Sequence, residues 1–214
     1  MIGKRRQATG IHDADAGPAR GILRRSLPPG AYSNTRHTPS EPLRPWIQHF
    51  WTVAWNLAPG VCHTVETLPH PNVHLVFTGG DEQSVLIHGI HTARFTRQLA
   101  GSVRVFGVKF RPGAFHHFLG APVATLRSKT IPASHVFGDA LRFLTPLLAS
   151  SASPQEKIAA AEPLFAALIP AQATHLEAAA LVDLILADPA ITTVAGLVQK
   201  SGLRPRALDR KSVV

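Results

Sequence analysis

Hydrophobic and polar positions begin to alternate near Leu43. "LRPWIQHFWTVAWNL" predicts a short turn of helix followed by a strand with Trp51, Val53 and Trp55 on one face. Further strands are expected over 62–68, 73–78, 84–90, 95–99 and 103–110, separated by the turn signals "PGV", "PHPN", "TGGDE" and "AGS". Such a rhythm of short strands belongs to an antiparallel sandwich or barrel. The alternation predicts that Trp51, Trp55, Val73, Leu75, Phe77, Phe106, Val108 and Phe110 point inward. After Arg111 the period becomes helical. "PGAFHHFLG" starts at Pro112 and ends at Gly120, and "SHVFGDALRFLTPLLAS", "SPQEKIAAAEPLFAALI" and "THLEAAALVDLILAD" each carry apolar residues at helical spacing. Pro154, Pro170 and Pro189 punctuate these helices. Before the first strand, the Gly-, Pro- and Arg-rich N-terminal stretch has no sustained period and is expected to be tail or linker. The expected organisation is α+β: a disordered tail over 1–40, a β-rich domain over 41–132, a helical connector over 133–189 and a new unit over 190–214.

Composition narrows the function classes. A chain of 214 residues with 45% hydrophobic content is long enough for a sizeable core. It contains no apolar run of about 18 residues, which argues against a membrane span. "MIGKRRQATG" is basic, but no apolar stretch follows it as a signal peptide requires. The single cysteine, Cys62, excludes an internal disulfide and fits a reducing compartment, so a cytoplasmic location is expected. The net charge of +9 favours a polyanionic partner. Residues 83–138 contain no Asp or Glu but include Arg94, Arg97, Arg104, Lys109, Arg111, Arg127 and Lys129, a block that either faces an anion or is simply solvated.

Signs of catalytic chemistry are weak. Among twelve histidines there is no His-x-His pair, and Pro71 and Asn72 between His70 and His74 favour a turn over a helical metal pair. Cys62 and His63 are neighbours on a strand, so their side chains diverge. No nucleophile elbow, phosphate loop or paired carboxylates are apparent. No enzyme activity, metal or cofactor is expected.

The most informative pattern is near the C-terminus. In "ITTVAGLVQKSGLRPRAL", Thr192 or Thr193 caps a helix with the apolar stripe Val194, Leu197 and Val198. Gly202 supplies a turn, Leu203 packs beneath it, Pro205 suits the start of a second helix and Leu208 returns to the same core. A DNA-binding helix-turn-helix has this form, and so does a helical hairpin with no such role.

Three other stretches, "LRPWIQHFWTVAW", "LPHPNVHLVF" and above all "VFGVKFRPGAFHHFLGAPVATL" followed by "IPASHVFG", complete a resemblance to the AraC family of bacterial transcription regulators, in the subgroup with a β-rich N-terminal domain. The resemblance implies a cupin-like sensory or dimerising domain joined to tandem helix-turn-helix units. It implies DNA contacts from Lys200, Arg204, Arg206 and Arg210, with Asp209 also turned towards bases. Trp51, Trp55, His74 and Lys109 are the expected contacts of an unknown small-molecule effector, and DNA and a second copy of the chain are the expected partners. The last six residues, "DRKSVV", match one reading frame of a common sequencing adapter, so the chain is expected to be a fragment with an incomplete helix-turn-helix. The alternative is a stand-alone cupin-like protein that binds a small molecule or acts as a metal-dependent enzyme.

Overall fold

Two long neighbouring strands, β2 (Ile47–Asn56) and β7 (Ser102–Phe110), form the centre of the fold. Both are rich in β-branched and aromatic residues, which suit a pleated surface buried on both sides. A computed structural model describes residues 31–169 and 177–206 of the protein. The other strands are β1 (Tyr32–His37), β3 (His63–Thr67), β4 (His74–Gly80), β5 (Ser84–His88), β6 (Phe95–Leu99) and β8 (Thr130–Pro132). Six of them make one sheet in the order β1-β2-β7-β4-β5-β8, and β3 and β6 make a separate two-stranded ribbon. Every pairing is antiparallel. Of the expected sandwich or barrel, two antiparallel sheets are present, and because the strand order ends at β1 and β8 with no ladder joining those ends among the described residues, no closed barrel is found.

Paired residues on adjacent antiparallel strands point to the same side, so the register divides the large sheet into two faces. On one face Phe50 pairs with Val108, Phe106 with Phe77, and Leu75 with both Val108 and Ile87. All six are fully buried and belong to the main hydrophobic core. The helices are α1 (His116–Leu119), α2 (Ser134–Phe137), α3 (Thr145–Leu148), α4 (Pro154–Leu168), α5 (Glu177–Ala187) and α6 (Val194–Ser201). The segment from α1 to α4 covers this face. Phe165 of α4 approaches Phe50 and Phe110 with ring centroids 6.4 and 6.2 Å away, and Phe115 packs edge-on to Phe110 at 4.8 Å. Helix α4 is well started: Ser153 accepts from the Glu156 amide while the Glu156 carboxylate accepts from the Ser153 amide, closing a capping box.

The inward list therefore separates. Leu75, Phe77, Phe106, Val108 and Phe110 face the helices, whereas Trp51 and Trp55 stand on the opposite face with Val53, Val76, Val103 and Val105. Trp55 is buried there, but Trp51 is only half-buried. Against this second face lies the β3–β6 ribbon, which contributes Leu99 and Val65 to a smaller core.

Several sequence expectations need correction. Part of the expected tail is strand β1, whose polar sequence "YSNTRH" is ordered by its ladder with β2. The short strand β8 carries no periodic signal of its own and follows from pairing with β5. The helix expected across "SHVFGDALRFLTPLLAS" breaks at Gly138, whose φ of 52° is hostile to other residues, leaving two short helices joined by turns. Near the C-terminus Thr193 caps α6 by accepting from the Gly196 amide. Gly202 ends the helix in the left-handed conformation, and Pro205 and Arg206 are again helical. Leu208 and the remainder of the second helix lie outside the described residues.

Because Phe165 is 1% exposed and joins α4 to the sheet, Phe165→Ala should destabilise the protein by about 3–5 kcal/mol, read from urea unfolding. A loss below about 1 kcal/mol would mean that α4 does not dock through this ring.

Candidate functional site

The second face of the sheet, together with the β3–β6 ribbon and the 68–72 loop, encloses a cleft of about 240 Å³. Its composition follows from the register. His49 pairs with Lys109, Lys109 with His74, and His74 with His88, so four basic side chains form one row across β2, β7, β4 and β5. An irregularity in β2 puts His49 in that row. Ile47 pairs with Phe110 and His49 with Lys109, so two steps along β2 match one along β7 and Gln48 is the extra residue of a bulge. Without the bulge Ile47 and His49 would share a face. With it Ile47 enters the main core and His49 enters the cleft.

The next rows are apolar. Trp51 pairs with Gly107 and Gly107 with Val76, while Val53 pairs with Val105 one row further on. An added Cβ on Gly107 would lie 1.9 Å from Trp51 Cε2, so the indole lies across the glycine and only glycine permits it. Trp51 also meets the His74 ring edge-on, with centroids 6.1 Å apart, and its Nε1 is buried with no hydrogen-bond partner among the described residues. Trp55 is more fully committed: its Nε1 donates to the Ala100 carbonyl at 2.9 Å and Arg97 stacks on its ring at 5.2 Å. Arg97 is also paired with Glu82 at 2.5 Å.

The electrostatics are one-sided. Arg36, His70, His91 and Arg97 join the basic row in lining the cleft, and no described Asp or Glu does. Burial, reinforced by Lys109 and Arg36, pushes His49 down to about 3. His74 is held well below the ordinary imidazole value by burial first and by Lys109 next, and burial with the nearby His91 lowers His88 to about 4. These imidazoles are therefore neutral at pH 7. Burial also lowers Lys109 to about 8, with Arg36 adding to the effect, so Lys109 remains protonated at pH 7. It is 9% exposed, and its ammonium makes no ion pair or hydrogen bond among the described residues.

All four residues expected to touch an effector, Trp51, Trp55, His74 and Lys109, line this one cleft. His49, Arg36 and His88 were missed, although His49 lies two residues before Trp51 and shares its alternation. No three described His, Cys, Asp or Glu residues are grouped to hold a metal ion. Cys62 is exposed, and His63 begins β3.

The residues expected to contact DNA lie elsewhere. Arg204 and Arg206 are exposed after α6, and Lys200 is tied to Asp188 at 3.0 Å. Arg210 and Asp209 lie outside the described residues. No described helix is long and apolar enough to cross a membrane.

Residues 35–132 match DUF6597, a domain of unknown function. The matched stretch runs from within β1 to the end of β8 and so contains the whole basic row and its aromatic floor. No curated protein and no solved structure matches the chain.

Two expectations follow. Gly107→Ala should displace Trp51, seen as a red shift of tryptophan emission, with a loss of about 1–3 kcal/mol from overpacking; unchanged emission would mean that the indole does not lie on Gly107. Acid should also destabilise the protein. Below pH 6.5 the unfolded imidazoles take up protons that folded His49 and His88 resist until about 3 and 4, so stability present above pH 6.5 falls as pH drops towards 4. Each such group contributes about 1.4 kcal/mol per pH unit in that window. His49→Gln should flatten the slope in denaturation curves recorded from pH 7 to 4, and an unaltered slope would contradict the burial assigned to His49.

Proposed function

We propose that the protein is a ligand-responsive transcription regulator of the AraC type, with a cupin-like sensing domain built on the two sheets and a helix-turn-helix that begins with α6. One observation carries the sensing half. The aromatic-floored cleft holds a buried, unpaired Lys109 and an unpartnered Trp51 Nε1, polar groups that cost free energy unless something meets them. The Thr193 cap, the short α6 and the left-handed Gly202 support the DNA-binding half, because a helix-turn-helix needs this tight glycine corner before its reading helix. A stand-alone metal enzyme fits less well, since the cleft offers imidazoles without a carboxylate.

Both halves have a direct test. A small molecule entering the cleft should change the emission of Trp51 and Trp55, and Trp51→Phe should remove most of that change. Absence of any response across a metabolite collection would sink the sensing role. At low ionic strength the chain should retard duplex DNA, with a log affinity against log salt slope of about −3 or shallower from Lys200, Arg204 and Arg206. The double substitution Arg204→Ala, Arg206→Ala should abolish the retardation. Retention of binding in that variant, or no binding by the parent, would refute the DNA-binding role.

A further inference from the structure

The cleft also indicates what kind of molecule it takes. We infer that its ligand is an organic monoanion: a carboxylate seated on the His49–Lys109–His74 row, with a flat apolar body lying over Trp51, Val76 and Val105. This inference rests on the sensing role proposed above and specifies its ligand class.

The row and the floor divide the labour. Lys109 is the middle member of the row, flanked on adjacent strands by His49 and His74, so all three side chains leave the sheet on one side within a few ångströms of one another. With the flanking rings neutral at pH 7, each provides a nitrogen that can donate or accept, while Lys109 provides the charge. A carboxylate has the donor-seeking oxygens and the single negative charge that such a trio lacks. Arg36 approaches from the β1 side, and no described acidic residue of the cleft competes for the ammonium.

Other ligand classes fit worse. A neutral sugar needs many paired donors and acceptors around its ring, whereas the rows beyond Lys109 are Trp51, Val53, Val76 and Val105. A metal needs converging ligands, and none are grouped among the described residues. A cation would be repelled by Lys109 and Arg36. A planar body is favoured because Gly107 lets Trp51 lie flat on the sheet and so presents a broad apolar platform.

Isothermal titration of the full chain at pH 7 with 2-naphthoate and with its uncharged analogue 2-naphthamide tests the inference. The carboxylate should bind at least about tenfold more tightly than the amide, as expected for a hydrogen-bonded ion pair in a buried site. Lys109→Met should remove that preference while leaving amide binding in place, and Lys109→Arg should keep it. Urea unfolding of each variant confirms that it is folded. The comparison in the parent protein stands even if a variant does not fold. Equal affinity for both compounds, or preference for the amide, would overturn the anion inference and leave a ligand-binding cleft. Preference for naphthoate that survives in folded Lys109→Met would overturn Lys109 as the seat. Failure of both compounds to bind, with no response to any of the metabolite collection, would overturn the sensing role as well.

Discussion

The register between β2 and β7 is the constraint on which the rest of the structure depends. A strand has only two sides, so a slip of one residue would exchange its entire inventory of side chains between the two faces. Here Phe50 opposite Val108 and Thr52 opposite Phe106 direct one set towards the helices, while Trp51 opposite Gly107 and Val53 opposite Val105 direct the other towards the cleft. The burial of Phe50, Phe106 and Phe110 between sheet and helices makes any slip costly, because three phenylalanines would leave the core for the cleft. The aromatic core on one side thus holds in place the polar row on the other.

That rigidity is what allows an unfavourable arrangement to persist. A buried lysine with no ion-pair partner among the described residues and a set of imidazoles held neutral both oppose folding. Their cost is offset by hydrophobic burial on the helix side, where Phe165, Phe115 and Phe137 close over the sheet. Binding sites are commonly places where polar groups are held ready at the expense of stability. The bulge at Gln48 adds a local device to this global one, turning His49 into the cleft while Ile47 stays in the core.

Much of this was legible in the sequence, and the omissions have physical reasons. The strand expected over 95–99 coincides with β6, and the alternation in "HFWTVAW" brought Trp51 and Trp55 to one side correctly because period two is a local property. His74 and Lys109 line the cleft on the faces of their strands opposite to Leu75 and Val108, which the expected inward set had placed alongside Trp51. What alternation cannot supply is which face of one strand adjoins which face of another. For that reason Leu75 and Phe106 were grouped with Trp51 although the sheet lies between them. Strand β1 was missed because its order comes from hydrogen bonds to β2 and not from an apolar pattern of its own. The choice between sandwich and barrel stayed open for a related reason: closure is a matter of long-range pairing between first and last strands, which no local period reports.

The strand that carries Lys109 also reaches the C-terminal helices. Two residues beyond Lys109, Arg111 forms an ion pair with Asp183 of α5, and its guanidinium lies 3.4 Å from the Ala179 carbonyl on the same helix. The backbone there is held from the other side, since the Arg111 amide donates to the Trp46 carbonyl at 2.8 Å and the Phe110 amide to Val73 at 3.0 Å. Arg111 Nε is buried with no hydrogen-bond partner among the described residues, so the side chain is not fully satisfied where it stands. Beyond α5, the Asp188–Lys200 pair ties the end of that helix to α6. Any displacement of the end of β7, whatever its cause, therefore acts on Arg111 first and on α5 next. The charge row in the cleft and the position of helices α5 and α6 thus share one strand end, so the cleft and those helices are mechanically linked through Arg111 and α5.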